Sequence, residues 1–179
     1  MSTLNTVIDH PDRRLVVALP HTYERARENY EALVPQADLA AFHRSASWGE
    51  TLELAGRNAP HGFMRYYTSD IAAVMAGSAR SWSATQYLMG NHTIAERMYR
   101  HDPSVMLHAP LRTLLYTDPG GGTRLAVDQP SLLFASYGDA RVAEVGEELD
   151  ALLARLLALL DADPPRELTP RAGEDRRLT

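Results

Sequence analysis

Apolar and polar residues along the chain fall into short period-two runs and longer stretches of helical spacing. Arg14–Leu19 alternates and is closed by Pro20, which predicts a first strand. Residues 22–34 follow with Tyr23, Ala26, Tyr30 and Leu33 on one helical face, and Pro35 ends that helix. From 36 to 60 the pattern is weak, consistent with a short helix and a strand near residues 51–54. Residues 63–68 alternate and are rich in aromatics, predicting a strand with Phe63, Arg65 and Tyr67 to one side and Met64 and Tyr66 to the other. A short helix or turn at "IAAVMAGSA" leads to a strand over 83–89, broken by Gly90 and Asn91. The pair Thr93 and Glu96 has capping-box spacing and places a helix start at Thr93, with Ile94 and Met98 buried and Asp102-Pro103 as the stop.

The remaining pattern is clearer. Residues 111–116 read as a strand, "DPGGG" as a turn, and "TRLAV" as the returning strand of a hairpin. Pro130 opens a short helix to Phe134, and Asp139 caps a long helix to about Leu160. Its apolar stripe is Val142, Val145, Leu149, Leu152, Leu153, Leu156 and Leu160. The order of elements predicts an α+β fold: a single twisted, partly antiparallel sheet packed against helices, with a long C-terminal helix. Residues 1–12 are expected to be a flexible arm, 13–161 one domain, and 162–179 a proline- and charge-rich disordered tail. The leucine stripe is wider than one side of a small sheet needs. It serves either a homodimer contact or ordinary core packing.

Composition acts mainly by exclusion. A chain of 179 residues that is 45% hydrophobic suffices for one core. It has no cysteine, so thiolate nucleophiles, disulfides and iron–sulfur clusters are excluded. All 18 basic residues are arginine, which excludes a Schiff-base lysine, including that of pyridoxal phosphate enzymes, and the Walker lysine. Net charge is −5 with the signs interspersed, so no nucleic-acid partner is expected. No apolar run approaches the ~20 residues of a membrane span, and the N-terminus has no secretory pattern. A soluble, cytoplasmic protein with no membrane partner is the expectation.

One stretch carries a family likeness. "YLMGNHTIAERMYRHDPSVMLHAPLRTLLYTDPGGGTRLAVDQPS" resembles domain-of-unknown-function family 302 at Gly90 and Asn91, Pro110 to Arg112, Gly120 to Gly122, and Asp128 to Pro130. The likeness is strongest over about residues 83–160 and looser over the first strand and helix. It implies a small α+β fold, commonly a homodimer, and no established reaction. His92 stands where that family usually has proline, and residues 36–60 are longer than a minimal member requires.

Candidate chemistry centres on the same stretch. In "MGNHTIAE" a strand meets a helix start, whose free N–H groups suit an anion with Asn91 or His92 as further donors, unless Thr93 and Glu96 satisfy those groups themselves. Among the histidines, His92, His101 and His108 are the candidates for acid–base catalysis. Neither they nor His43 and His61 form an H-x-H or H-x-x-x-H pair, so no metal site is expected. A haem held by one histidine leaves no spacing rule and stays open; the cofactor is otherwise unknown. Arg112, Leu114 and Tyr116 share one strand face. Arg112 either pairs with Asp128 across the hairpin or clamps an acidic ligand. Tyr67, Tyr87 and Tyr116 are candidate walls for a flat ligand. The resulting expectation is a small-molecule-binding protein for an acidic or partly aromatic ligand, with Asn91, His92 and Arg112 converging on one hollow. The alternatives are an enzyme of specialised metabolism and a purely structural or interaction role through the long helix.

Overall fold

In the first strand, β1 (Arg14–Leu19), Leu15, Val17 and Leu19 are buried and the residues between them are exposed, as period-two alternation requires. The structure, a computed structural model, describes residues 5–79 and 82–169. The helix α1 (Tyr23–Leu33) starts at Thr22, whose side chain accepts from the Arg25 N–H. Next come α2 (Leu39–Arg44), α3 (Trp48–Asn58), β2 (Met64–Asp70), α4 (Ile71–Val74), β3 (Ala84–Gly90) and α5 (His92–Tyr99). A 3-10 turn (Pro103–Leu107) leads to β4 (Leu111–Thr117), β5 (Thr123–Asp128), α6 (Pro130–Ala135) and α7 (Ala140–Leu159). The five strands form one antiparallel sheet in the order β1-β5-β4-β3-β2. The fold is α+β, as the sequence predicts.

One sheet face carries the core. Leu111, Thr113 and Leu115 of β4 are buried there beside Leu125 and Val127 of β5 and Tyr87 and Met89 of β3. Against them lie α1 and α7. Tyr30 stacks on Tyr87 with ring centroids 4.5 Å apart and shares a 2.8 Å hydrogen bond with Thr113. The whole leucine stripe of α7 is consumed in this way: Leu149, Leu152, Leu153, Leu156 and Leu160 are all buried, so its width reflects core packing. The opposite face bears Arg14, Val16, Tyr67, Arg112, Leu114, Tyr116 and Asp128, all exposed or half-buried.

Four expectations need correction. Residues 51–54 are not a strand but the middle of α3. Ser47 accepts from the Glu50 N–H, and Glu50 accepts from the Ala46 N–H, so a near capping box starts a helix there. In α5 the cap is Asn91, one position before His92, and not Thr93. The Asn91 carboxamide oxygen accepts from the Thr93 N–H, while Glu96 pairs with Arg100 instead of reaching back. Alternation in β2 fails at Tyr66. Arg65 faces Met89 and Tyr67 faces Leu88, so Tyr66 is an inserted residue, a β-bulge. Residues 162–169, expected to belong to the disordered tail, pack on the domain instead. Ala162 and Leu168 are buried, and a 3-10 turn (Arg166–Leu168) packs back on α7. Residues 170–179 lie outside the described residues, as do residues 1–4 of the expected arm; residues 5–12 have no regular structure and are exposed.

Candidate functional site

The bulge in β2 and the strand–helix junction after β3 build one site together. Gly90 ends β3 where a side chain would meet the Tyr66 ring: a Cβ there would lie 3.3 Å from Tyr66 Cε2. The ring therefore crosses the strand end, and its phenol reaches His92 Nδ1 at 3.0 Å. Phe42 of α2 covers the imidazole from another side, with ring centroids 4.5 Å apart. Asn91 has its amide engaged at both ends, donating to the Gly62 carbonyl at 3.2 Å and capping α5. It holds the junction in place.

Behind these groups is an apolar cavity of 260 Å³. Ile94, Ala95 and Met98 of α5 form one wall. Met106, Ala109 and Pro110 form another, and Leu111, Phe134 and Leu149 close it toward the core. Its polar side chains are Tyr66, Asn91 and His92, and no arginine or carboxylate lines it. An uncharged interior is consistent with the state of the histidine. Burial, with His43 nearby, holds the His92 imidazole below its ordinary range, so it is neutral at pH 7. Burial raises the Tyr66 phenol, and the backbone N–H of His92 opposes that rise by facing the phenol oxygen.

The other predicted site residues go elsewhere, and the expected convergence does not form. Arg112 lies opposite Leu88 on the open sheet face, away from the cavity. It makes no ion pair among the described residues, and Asp128 is instead 3.8 Å from Arg14. Arg112 and Asp128 share a polar hollow of 390 Å³ with His10, Asp12 and His108. Tyr116 borders an adjoining hollow with Arg112 and Asp128, and Tyr67 is 48% exposed on the same face. Tyr87 belongs to the core, where its hydroxyl donates to Glu31 at 3.0 Å. Burial alone would raise the Glu31 carboxyl, but Arg27, Tyr87 and Arg65 outweigh it and hold the carboxyl below its usual range. His101 is exposed beyond the end of α5. His108 packs edge-on to Phe134 and Tyr137, and burial and His10 lower its pKa against the pull of Asp12 and Asp128. Among the described residues no group of three metal-ligating side chains assembles, and no helix is long and apolar enough to cross a membrane.

Tyr66, Phe42 and Phe134 are the site residues that pattern reading misses. The signal for Tyr66 is the pair of adjacent tyrosines in an otherwise alternating run, where one extra residue must turn. Phe42 sits in the weakly patterned insertion, and Phe134 reads only as the end of a short helix.

A pH dependence follows from the two lowered histidines. Each binds its proton more weakly folded than unfolded, so the unfolded chain takes up more protons as pH falls. Their contribution to stability is present above the unfolded value of about 6.5 and is lost as pH falls through the folded values. The melting temperature of the wild type should therefore drop more steeply between pH 7 and pH 5 than that of His92→Gln. Parallel curves would remove His92 from this account.

The comparisons with known proteins bear on the same elements. The family model described as "Domain of unknown function DUF302" matches residues 41–160. A crystal structure of the uncharacterized conserved protein DUF302 from Bacillus stearothermophilus superposes with a TM-score of 0.61 at 16% identity, over 82% of this chain and 97% of that one. That likeness shows the shared fold. A search of curated proteins gave no match. The matched span runs from α2 to the end of α7 and so includes every element that lines the cavity; this chain belongs to the DUF302 family of proteins of unknown function.

Proposed function

We propose that this protein binds a small, largely apolar molecule in the cavity between α5 and the core. The observation that carries the reading is the cavity itself. It has 260 Å³ of space, apolar walls, and a polar cluster of Tyr66, Asn91 and His92 at the junction of β3 and α5. A few polar groups at one end of an apolar hollow are the usual anatomy of a small-molecule site. The acidic ligand expected from Arg112 has no cation to meet there. The ligand is therefore read as uncharged.

Ala95 supplies the test. Its methyl lines the cavity from α5, so Ala95→Phe fills the space. A thermal-shift screen with small aromatic and alicyclic compounds should raise the melting temperature of the wild type. The same compounds should leave the folded Ala95→Phe protein unmoved. Equal shifts in both proteins would overturn the proposal. The absorption spectrum separates it from a haem held by one histidine: a colourless purified protein is expected, and a Soret band would replace this reading with the haem one.

We also propose a homodimer, with the open sheet face as its contact. Val16, Tyr67 and Leu114 stand there beside Arg14, Arg112 and Asp128, so both signs of charge accompany apolar surface. A two-fold contact needs such self-complementarity. Light scattering should give twice the chain mass for the wild type and the single mass for Val16→Asp. A wild-type monomer would contradict it.

A further inference from the structure

The ligand class can be narrowed from the hydrogen bonds around His92, granting that the cavity binds a ligand at all. The Tyr66 hydroxyl has one proton to give. Among the described residues the one hydrogen-bond partner of that hydroxyl is His92 Nδ1, 3.0 Å away, and the phenol proton is placed there. A neutral imidazole that accepts at Nδ1 carries its own proton on Nε2. Nε2 makes no hydrogen bond to any described residue, and no buried side-chain nitrogen or oxygen among them lacks a partner. His92 therefore brings to the cavity it lines a ring nitrogen that is committed to no protein group and is open to water or to a ligand. The other two polar side chains are committed, Asn91 to Gly62 and the α5 cap, Tyr66 to His92.

We infer that the cavity takes an uncharged carbonyl compound, whose oxygen accepts from His92 Nε2–H while its hydrocarbon part packs on Ile94, Met98, Phe134 and Leu149. A neutral imidazole at a helix N-terminus is a known electrophilic partner for a carbonyl, because it donates without charge. A carboxylate would have to shed its water in a hollow that supplies no cation, which disfavours it strongly. A plain hydrocarbon fits the walls and leaves the Nε2 proton unused.

Three probes of similar shape test this: acetophenone, ethylbenzene and benzoate, titrated at pH 7.5 into the whole protein by ligand-observed NMR. Acetophenone should bind about five-fold tighter than ethylbenzene, the worth of one neutral hydrogen bond. Benzoate should show no saturable binding. In His92→Leu the preference for acetophenone should vanish while ethylbenzene still binds. Long-range proton–nitrogen correlation on the wild type should find His92 protonated at Nε2, a readout that does not require the variant to fold. Equal affinities for acetophenone and ethylbenzene, tight benzoate binding, or an Nδ1–H tautomer would each overturn the inference and leave cavity binding intact. Failure of all three probes would instead overturn the reading of the cavity as a binding site.

Discussion

Replacing Phe134 with alanine is expected to destabilise the protein by about 4 kcal/mol and to enlarge the cavity. The ring is fully buried, faces the cavity, and lies where α6 meets α7. The two helices touch closely there: a Cβ on Gly146 would lie 3.0 Å from Phe134 Cβ and 3.1 Å from Ser131 Cα. The backbone therefore has little freedom to collapse into the space the ring leaves. The void should join the existing cavity and stay apolar, and such voids take up small aromatic molecules. Benzene should then raise the melting temperature of Phe134→Ala more than that of the wild type. Urea unfolding with and without benzene checks both parts. A loss under 1 kcal/mol would show that α6 closes in.

Asp150→Ala should cost about 3 kcal/mol, for a different reason. Asp150 lies on α7, is 6% exposed, and has no arginine partner within salt-bridge distance among the described residues. Its carboxylate instead accepts from Gln129 Nε2 at 2.7 Å and from the Ser131 N–H at 3.0 Å, at the start of α6. A helix start stabilises a negative charge by its N–H groups and dipole. Gln129 extends the junction, accepting from Arg13 at 2.9 Å and donating to the Glu167 carbonyl at 2.9 Å. One buried pair thus joins the start of β1, the end of β5, α6, α7 and the segment after α7. Alanine would strand the Ser131 N–H and take a charged acceptor from Gln129. Asp150→Asn keeps one acceptor and should lose roughly half as much. Equal stability of wild type and Asp150→Ala in urea would dismiss this junction as a support of the fold.

Legibility of the sequence followed how local the determining physics is. β1, β4, β5 and α7 were readable because each buries a simple periodic face: Leu15, Val17 and Leu19, or Leu149 to Leu160. α3 escapes such reading because its inward face is small; Ala55 is the residue it fully buries, so little apolar periodicity exists. Its near capping box at Ser47 and Glu50 was the better signal. The site was half legible. Asn91 and His92 were found from the strand–helix junction, and Ile94 and Met98 from helical spacing. The placement of Arg112 depended on which sheet face the α5 junction meets, a tertiary matter. Strand parity put Arg112 correctly with Tyr116 and against Leu111, but could not say that the cavity lies on the leucine side. Tyr66 required knowing that β2 holds a bulge, which is set by pairing with β3.

Ligand binding requires that small molecules enter the cavity under α5. Methionine methyl groups report this directly, because Met98 and Met106 line the cavity while Met64 and Met89 are buried elsewhere. The protein labelled with carbon-13 at its methionine methyls would be titrated with ethylbenzene. Saturable shifts at Met98 and Met106, with Met64 and Met89 still, are the predicted result. Unmoved Met98 and Met106 resonances, or shifts confined to other methionines, would contradict it.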